Sequence, residues 1–167
     1  MNETKTMKPK VLIVDDTQLN QKILDHLLRD GYINKLASNG LEALEAARTF
    51  LPDVILLDVN MPGIDGYEVC RQLKSDPRTS DIPVIFITAM TDERDEELGF
   101  SVGGSDYIQK PIRGAIVKAR ISAHLKIKFM QDYLRQEKTL LETANQQSFV
   151  ELEQLRTYLW GGAKVRA

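Results

Sequence analysis

Three carboxylates in this sequence directly follow short apolar runs, at positions where they could act together. Asp15 and Asp16 follow Val11–Val14, and Asp58 follows Val54–Leu57. Carboxylates gathered at one place repel one another and raise each other's pKa unless a cation lies between them. Mg2+ suits such a place best, because it prefers oxygen ligands, keeps several waters and often shares a phosphate. The sequence therefore predicts a magnesium site.

Two further side chains in the same kind of position supply groups that bind phosphate. Thr88 ends the run Val84–Ile87 with a hydroxyl, and Lys110 follows Tyr107–Gln109 with an ammonium. A metal, an ammonium and a hydroxyl around one carboxylate can hold the equatorial oxygens of a phosphoryl group during transfer. An Asp carboxylate can itself be the nucleophile and form an aspartyl phosphate. The central position of Asp58 makes it the best candidate.

These five side chains meet only if the apolar runs become neighbouring strands. Five strand patterns alternate with helical patterns, which predicts an α/β fold with a parallel sheet and helices on both faces. We predict a doubly wound, flavodoxin-like sheet with strand order 2-1-3-4-5 and a long C-terminal helical extension. In that order strands 1, 3, 4 and 5 end at one edge of the sheet. Thr17 is expected to cap the first helix, and Gly31 to close it.

The segments around these residues are VLIVDD, VILLDVNMPGIDG, PVIFITAM and SDYIQKP. Together they resemble the receiver domain of two-component response regulators, over residues 8–125. The resemblance implies that Asp58 accepts a phosphoryl group from a sensor histidine kinase or a phosphotransfer protein. It implies that Asp16 and Asp58 ligate Mg2+ directly, together with the backbone carbonyl of Asn60, and that Asp15 contributes partly through water.

The same resemblance assigns roles around the phosphoryl group. Lys110 and Thr88 are expected to bind its oxygens. Tyr107 matches an aromatic switch residue, whose ring turns inward when Thr88 moves toward the phosphate. The Lys110–Pro111 peptide bond matches one that is usually cis, an isomer that proline makes accessible. Asn60 and Met90 are the positions expected to influence how long the phosphoryl group persists.

Two other interpretations compete with a phosphorylated receiver. A haloacid-dehalogenase-like phosphatase also uses an Asp at a strand end, but it needs a second Asp two residues later, where this chain has Asn60. Without that acid or base, water attacks the aspartyl phosphate slowly, so we expect a signal rather than a turnover enzyme. The other interpretation is a coiled-coil scaffold or adaptor on a receiver fold that never takes phosphate.

The chain continues beyond the expected end of the receiver. Residues 115–160 contain neither Pro nor Gly, so we predict a helix over 113–160, roughly 70 Å long at about 1.5 Å per residue. Its apolar residues follow a 3-4 pattern that Glu137 and Ser148 interrupt, with a stutter between Ser148 and Leu152. For residues 126–160 this favours a parallel coiled coil and a homodimer, with a helix that packs back or frays as the alternative. Residues 161–167 form a short tail.

Helices of this kind resemble those that lead into dimeric output enzymes, such as diguanylate cyclases, cyclic-dinucleotide phosphodiesterases and serine phosphatases. The chain is then either a fragment of a larger regulator or a complete regulator that acts through protein contacts. In either case no output enzyme domain fits within these residues.

Composition argues against several other classes of protein. The net charge of −2 gives no general reason to expect nucleic acid or an anionic membrane as a partner. The single cysteine, Cys70, allows no internal disulfide, and His26 and His124 lack ligand spacing. No apolar run approaches the roughly 20 residues that span a bilayer, and the first ten residues lack the apolar core of a signal peptide. We therefore expect a cytoplasmic protein that binds neither nucleic acid nor membrane.

Overall fold

The chain alternates strands and helices from its first element to its last. The structure, a computed structural model, describes residues 8–89 and 93–161. Met90 and most of the predicted tail, residues 162–167, lie outside the described residues. The elements in chain order are β1 (Lys10–Val14), α1 (Gln18–Leu28), β2 (Ile33–Ala37), α2 (Gly40–Phe50), β3 (Val54–Asp58), α3 (Gly66–Ser75), β4 (Val84–Thr88), α4 (Glu93–Ser101), β5 (Asp106–Gln109) and α5 (Gly114–Gly161).

The five strands form one parallel sheet in the order β2-β1-β3-β4-β5. This confirms the predicted α/β fold, its strand order and the long C-terminal helix. The central strands β3 and β4 are buried along their whole length, as expected for apolar runs covered on both faces. Val14 pairs with Leu57 and Asp58 with Ile87, so the residues that end these strands reach the same edge.

Alternating side chains of the sheet enter two separate cores. Leu12 and Val14 pack with α2 and α3 on one face, whereas Val11 and Ile13 pack with α1 and the first turns of α5 on the other. This division follows from the two-residue period of a strand, which sends successive side chains to opposite faces. Helices therefore cover both faces of the sheet, and polar groups can lie at its carboxyl edge.

The turn between β1 and α1 differs from the prediction. Thr17 occupies the N-cap position, but its side chain makes no capping hydrogen bond. Its backbone N–H instead donates to Asp15 Oδ1 at 2.8 Å, so the carboxylate orders the turn. Helix α1 ends at Leu28 rather than continuing to Gly31. The predicted side-chain cap was wrong, because the Thr17 hydroxyl donates to Asp16 Oδ1 at 3.4 Å and accepts no N–H of the helix.

The chain divides into two compact units, and the boundary between them falls within helix α5. The first unit ends at Lys128 and the second begins at Phe129. In the first unit Val117, Ile121 and Leu125 recur every four residues and are buried against the sheet. In the second unit every large apolar side chain of residues 129–160 is exposed. Across the described part of the chain, no helix combines the length and the apolar character that a membrane span requires.

Candidate functional site

Three carboxylates meet at the carboxyl edge of the sheet, as the strand ends predicted. Asp15, Asp16 and Asp58 each place one carboxylate oxygen within 4.8 Å of the other two. Asp58 is only 2% exposed and Asp15 only 1%, whereas Asp16 faces solvent. We call these three residues the acidic cluster. Hard oxygen donors at this spacing fit a small divalent cation such as Mg2+.

Lys110 reaches the acidic cluster from the end of β5. Its Nζ donates to Asp58 Oδ2 at 3.1 Å and to Asp15 Oδ2 at 3.3 Å. Its backbone N–H donates to the carbonyl of Thr88 at 2.8 Å, which ties the loop after β5 to the end of β4. The Lys110–Pro111 bond is cis, as the resemblance implied. One ammonium thus bridges the two buried carboxylates.

The electrostatics of this bridge are unbalanced, because two buried carboxylates share a single ammonium. Burial raises the pKa of Asp58, and the opposing attraction of Lys110 does not cancel it, in part because the charge of Asp15 adds to the rise. The pKa of Lys110 is raised as well, since attraction to Asp58 and Asp15 outweighs the effect of its burial. The site therefore retains excess negative charge that a further cation would neutralise.

Two polar residues of α1 complete the site, and neither was predicted from the sequence. Asn20 Nδ2 donates to Asp15 Oδ1 at 3.1 Å and to Asp15 Oδ2 at 3.0 Å. Gln21 is buried, and its Nε2 donates to the carbonyls of Asp15 at 2.7 Å and Ala37 at 2.9 Å. The spacing gave one signal: a residue five positions after Asp15 lies in the first turn of α1, beside the strand end.

Thr88 and Asn60 lie at the same edge as the acidic cluster. Thr88 is 3% exposed and follows Ile87, the residue that pairs with Asp58 across the two central strands. The backbone N–H of Asn60 donates to Asp58 Oδ1 at 3.3 Å, and the Asn60 side chain is exposed. Their predicted roles, a hydroxyl for the phosphoryl group and a carbonyl for the metal, stay predictions.

Comparison with known proteins identifies the family. A sequence model described as "Response regulator receiver domain" matches residues 11–122. The chain belongs to this family. It is 43% identical over 131 residues to the Response regulator PleD of Caulobacter vibrioides, an alignment that covers 78% of this chain and 29% of PleD.

Two further proteins resemble this receiver chain. A Vibrio cholerae protein named "Probable cyclic di-GMP phosphodiesterase" is 38% identical over 146 residues, which are 87% of this chain and 33% of that protein. The chain thus spans about a third of the length of these relatives. A crystal structure of the receiver domain of sensor histidine kinase PA1611 from Pseudomonas aeruginosa holds a magnesium ion in its active site cleft. It is 28% identical with a TM-score of 0.66, over 71% of this chain and 98% of that one.

The predicted switch residue of the receiver, Tyr107, packs among aromatic rings. Its ring centroid lies 5.2 Å from that of Phe86 and 5.4 Å from that of Phe100. The Tyr107 hydroxyl lies where a Cβ at position 99 would be, so the ring has room only because residue 99 is glycine. Gly99 therefore makes room for the Tyr107 ring in its observed position, and the switch role of Tyr107 stays a prediction.

Replacing Gly99 with alanine is expected to force the Tyr107 ring out of this space. The loss of its contacts with Phe86 and Phe100 should reduce the free energy of unfolding by about 1–3 kcal/mol. In a Tyr107→Ala background the same change should instead be neutral or stabilising by up to about 1 kcal/mol, because alanine favours a helix over glycine. Urea unfolding of the four proteins measures this coupling, and an equal cost in both backgrounds would contradict the packing argument.

Proposed function

We propose that this receiver is the phosphoacceptor of a two-component system and that Asp58 receives the phosphoryl group. The proposed donor is a phosphohistidine of a sensor histidine kinase or a phosphotransfer protein. The observation that carries the proposal is the contact of Lys110 Nζ with Asp58 Oδ2 at 3.1 Å inside the acidic cluster. A buried carboxylate with an ammonium and two acidic neighbours is arranged to stabilise the charge of an incoming phosphoryl group and its metal ion.

The metal that fits this arrangement is Mg2+. We infer that Asp15, Asp16 and Asp58 hold it, with the backbone carbonyl of Asn60 as a further ligand. The acidic cluster offers only carboxylate oxygens, the donors that Mg2+ prefers over softer metals. The magnesium in the PA1611 receiver supports the same choice. When bound, Mg2+ supplies charge neutralisation for the transferring phosphoryl group.

In the proposed transfer an Asp58 carboxylate oxygen attacks the phosphorus in line with its bond to the histidine nitrogen. The new O–P bond forms as the P–N bond breaks, and the imidazole keeps the electron pair and takes up a proton. Lys110 and Thr88 bind equatorial oxygens of the moving group. Asn60 offers no acid or base to activate water, so the aspartyl phosphate lasts long enough to be a signal.

The direct test is phosphoryl uptake from acetyl phosphate with Mg2+, followed by intact-protein mass spectrometry. We expect one added phosphoryl group on the parent chain and none on Asp58→Asn or in the presence of a chelator. Asp53→Asn is the matched control. Asp53 lies just before β3, at the opposite edge of the sheet from Asp58, and its carboxylate accepts a hydrogen bond from the Lys10 N–H at 2.8 Å. Undiminished uptake by Asp58→Asn would refute the assignment, and no uptake by the parent chain would favour the scaffold interpretation.

We also propose that the second unit of α5 forms a parallel coiled coil with a second copy of the chain. Its exposed apolar stripe includes Met130, Leu134, Leu141 and Leu155, between 54% and 64% exposed, which an isolated helix leaves in water. Phosphorylation would bias this dimer through Thr88, Tyr107 and the surface formed by α4, β5 and α5.

We further propose that the full-length protein carries an output domain that acts on a cyclic dinucleotide, as the name of the Vibrio relative suggests.

Sedimentation of matched variants tests the dimer. Leu141→Glu places a charge in the stripe and is expected to give a monomer, because a buried charge opposes the helix–helix contact. Leu140→Glu makes the same change one residue away, outside the 3-4 pattern, and should leave a dimer. The chain truncated after Leu125 should also be monomeric. A monomeric parent chain, or equal loss of dimer in both leucine variants, would contradict the proposed coiled coil.

A further inference from the structure

Asn20 contacts the acidic cluster in a way that no assigned role explains. Its amide nitrogen lies 3.1 Å and 3.0 Å from the two oxygens of Asp15. Carboxylate oxygens only accept hydrogen bonds, so the amide group must present its N–H donors to them. Asn20 is not the helix cap, since Thr17 holds that position. The contact therefore serves Asp15 rather than the helix.

Asp15 depends on this contact because almost none of its surface reaches water. It is 1% exposed, and within the described residues its carboxylate accepts hydrogen bonds from Asn20, the backbone N–H of Thr17 and Lys110 Nζ. Lys110 sits between Asp15 and Asp58, so an ammonium that turns to a phosphoryl oxygen on Asp58 weakens its bond to Asp15. Among the residues that the structure describes, Asn20 and Thr17 are then the two that still hold the Asp15 carboxylate.

The geometry points to Asn20 as a positioning residue that fixes the Asp15 carboxylate for Mg2+, both before phosphoryl uptake and when Lys110 binds the phosphoryl group. This rests on the proposed function of the same site. An amide suits the task because it donates hydrogen bonds without a positive charge, and so it does not repel the cation as lysine or arginine would. Groups that orient a metal ligand in this way contribute about 10–100-fold to metal affinity.

The test begins with Mg2+ titration of the full chain by calorimetry, with no phosphodonor present. Asn20→Ala and the similarly sized Asn20→Leu are each expected to raise the Kd for Mg2+ by about 10-fold or more. Gln18→Ala, at an exposed position of the same helical turn, is the control and should leave the Kd unchanged. Circular dichroism reports whether each variant is folded. Two different substitutions at Asn20 are used so that the test still stands if one of them does not fold. An unchanged Kd in a folded Asn20 variant overturns the inference.

A second measurement separates positioning from a general structural role. The rate of phosphoryl uptake from acetyl phosphate is followed as Mg2+ is raised. For Asn20→Ala we expect the Mg2+ concentration at half-maximal rate to rise with the Kd, while the rate at saturating Mg2+ stays within about 3-fold of the parent, because the affected step is metal binding. A rate that is lowered equally at all Mg2+ concentrations would overturn the inference. Failure of the proposed function would look different: no uptake by the parent chain, whatever the titration gives.

Discussion

Lys110→Ala is expected to slow phosphoryl uptake on Asp58 by about 10²–10³-fold, the usual loss when a preorganised charge-stabilising donor is removed. The reason is geometric, because Nζ already lies 3.1 Å from the Asp58 oxygen that we expect to bond to phosphorus. Uptake rates from acetyl phosphate at saturating Mg2+ provide the measurement. Lys118→Ala, which removes an exposed lysine of α5, is the matched control and should not change the rate.

A second prediction for Lys110→Ala concerns the stability and the Mg2+ affinity of the protein before phosphoryl uptake. Without Lys110 the carboxylates of Asp15 and Asp58 lose their shared ammonium, and breaking such a buried pair costs on the order of 3 kcal/mol of unfolding free energy. Mg2+ should restore much of that stability, and it should bind more tightly than to the parent, since no ammonium competes for the acidic cluster. Urea unfolding with and without Mg2+ measures both effects. Weaker Mg2+ binding by Lys110→Ala would contradict this picture of the site.

Gly66→Ala is expected to reduce the free energy of unfolding by on the order of 3 kcal/mol. Gly66 begins α3 directly beneath the turn that follows Asp58, and its N–H donates to the carbonyl of Val59 at 2.9 Å. An added Cβ would collide with the backbone oxygen of Asp58 and lie 2.8 Å from Val59 Cα. Backbone atoms cannot rotate away as a side chain does, so the turn itself must move and displace the Asp58 carboxylate.

Gly66→Ala should therefore lower the free energy of unfolding, measured with urea, and change the affinity for Mg2+, measured by titration. Gly31→Ala provides the matched control, because in the described structure no heavy atom lies within 4 Å of a Cβ built there. We expect that change to alter the unfolding free energy by no more than about 0.5 kcal/mol. A Gly66 variant as stable as the Gly31 variant, with unaltered Mg2+ affinity, would show that the turn tolerates the added atom.

The sequence predicted the acidic cluster well because its members are fixed by strand ends. An apolar run such as Val54–Leu57, behind the turn residue Pro52, suits a strand buried on both faces, and a parallel sheet brings the residues after such strands to one edge. Asp15, Asp58 and Lys110 therefore converge whatever the details of the helices. The strand order followed from the same alternation of elements, since right-handed crossovers leave few topologies.

What the sequence did not predict lies in side-chain contacts that have no periodic signal. Asn20 and Gln21 look like ordinary polar residues of a helix, and only the fold shows that they bind the Asp15 carboxylate and its backbone carbonyl. On α1 the apolar Ile23 is 39% exposed whereas the polar Gln21 is buried, an arrangement that residue type alone does not indicate. The space that Gly99 leaves for Tyr107 depends on how α4 packs on β5, which no spacing rule encodes.

The most direct test of the central claim is to locate the phosphoryl group within the chain. Borohydride reduces an aspartyl phosphate to homoserine, and trypsin then releases residues 49–71, a peptide that contains Asp53, Asp58 and Asp65. Tandem mass spectrometry of this peptide after treatment with acetyl phosphate and Mg2+ identifies which residue was modified. We predict homoserine at position 58 and aspartate at the other two. Homoserine at position 53 or 65, or an unmodified peptide from protein that has gained a phosphoryl group, would contradict the proposed site.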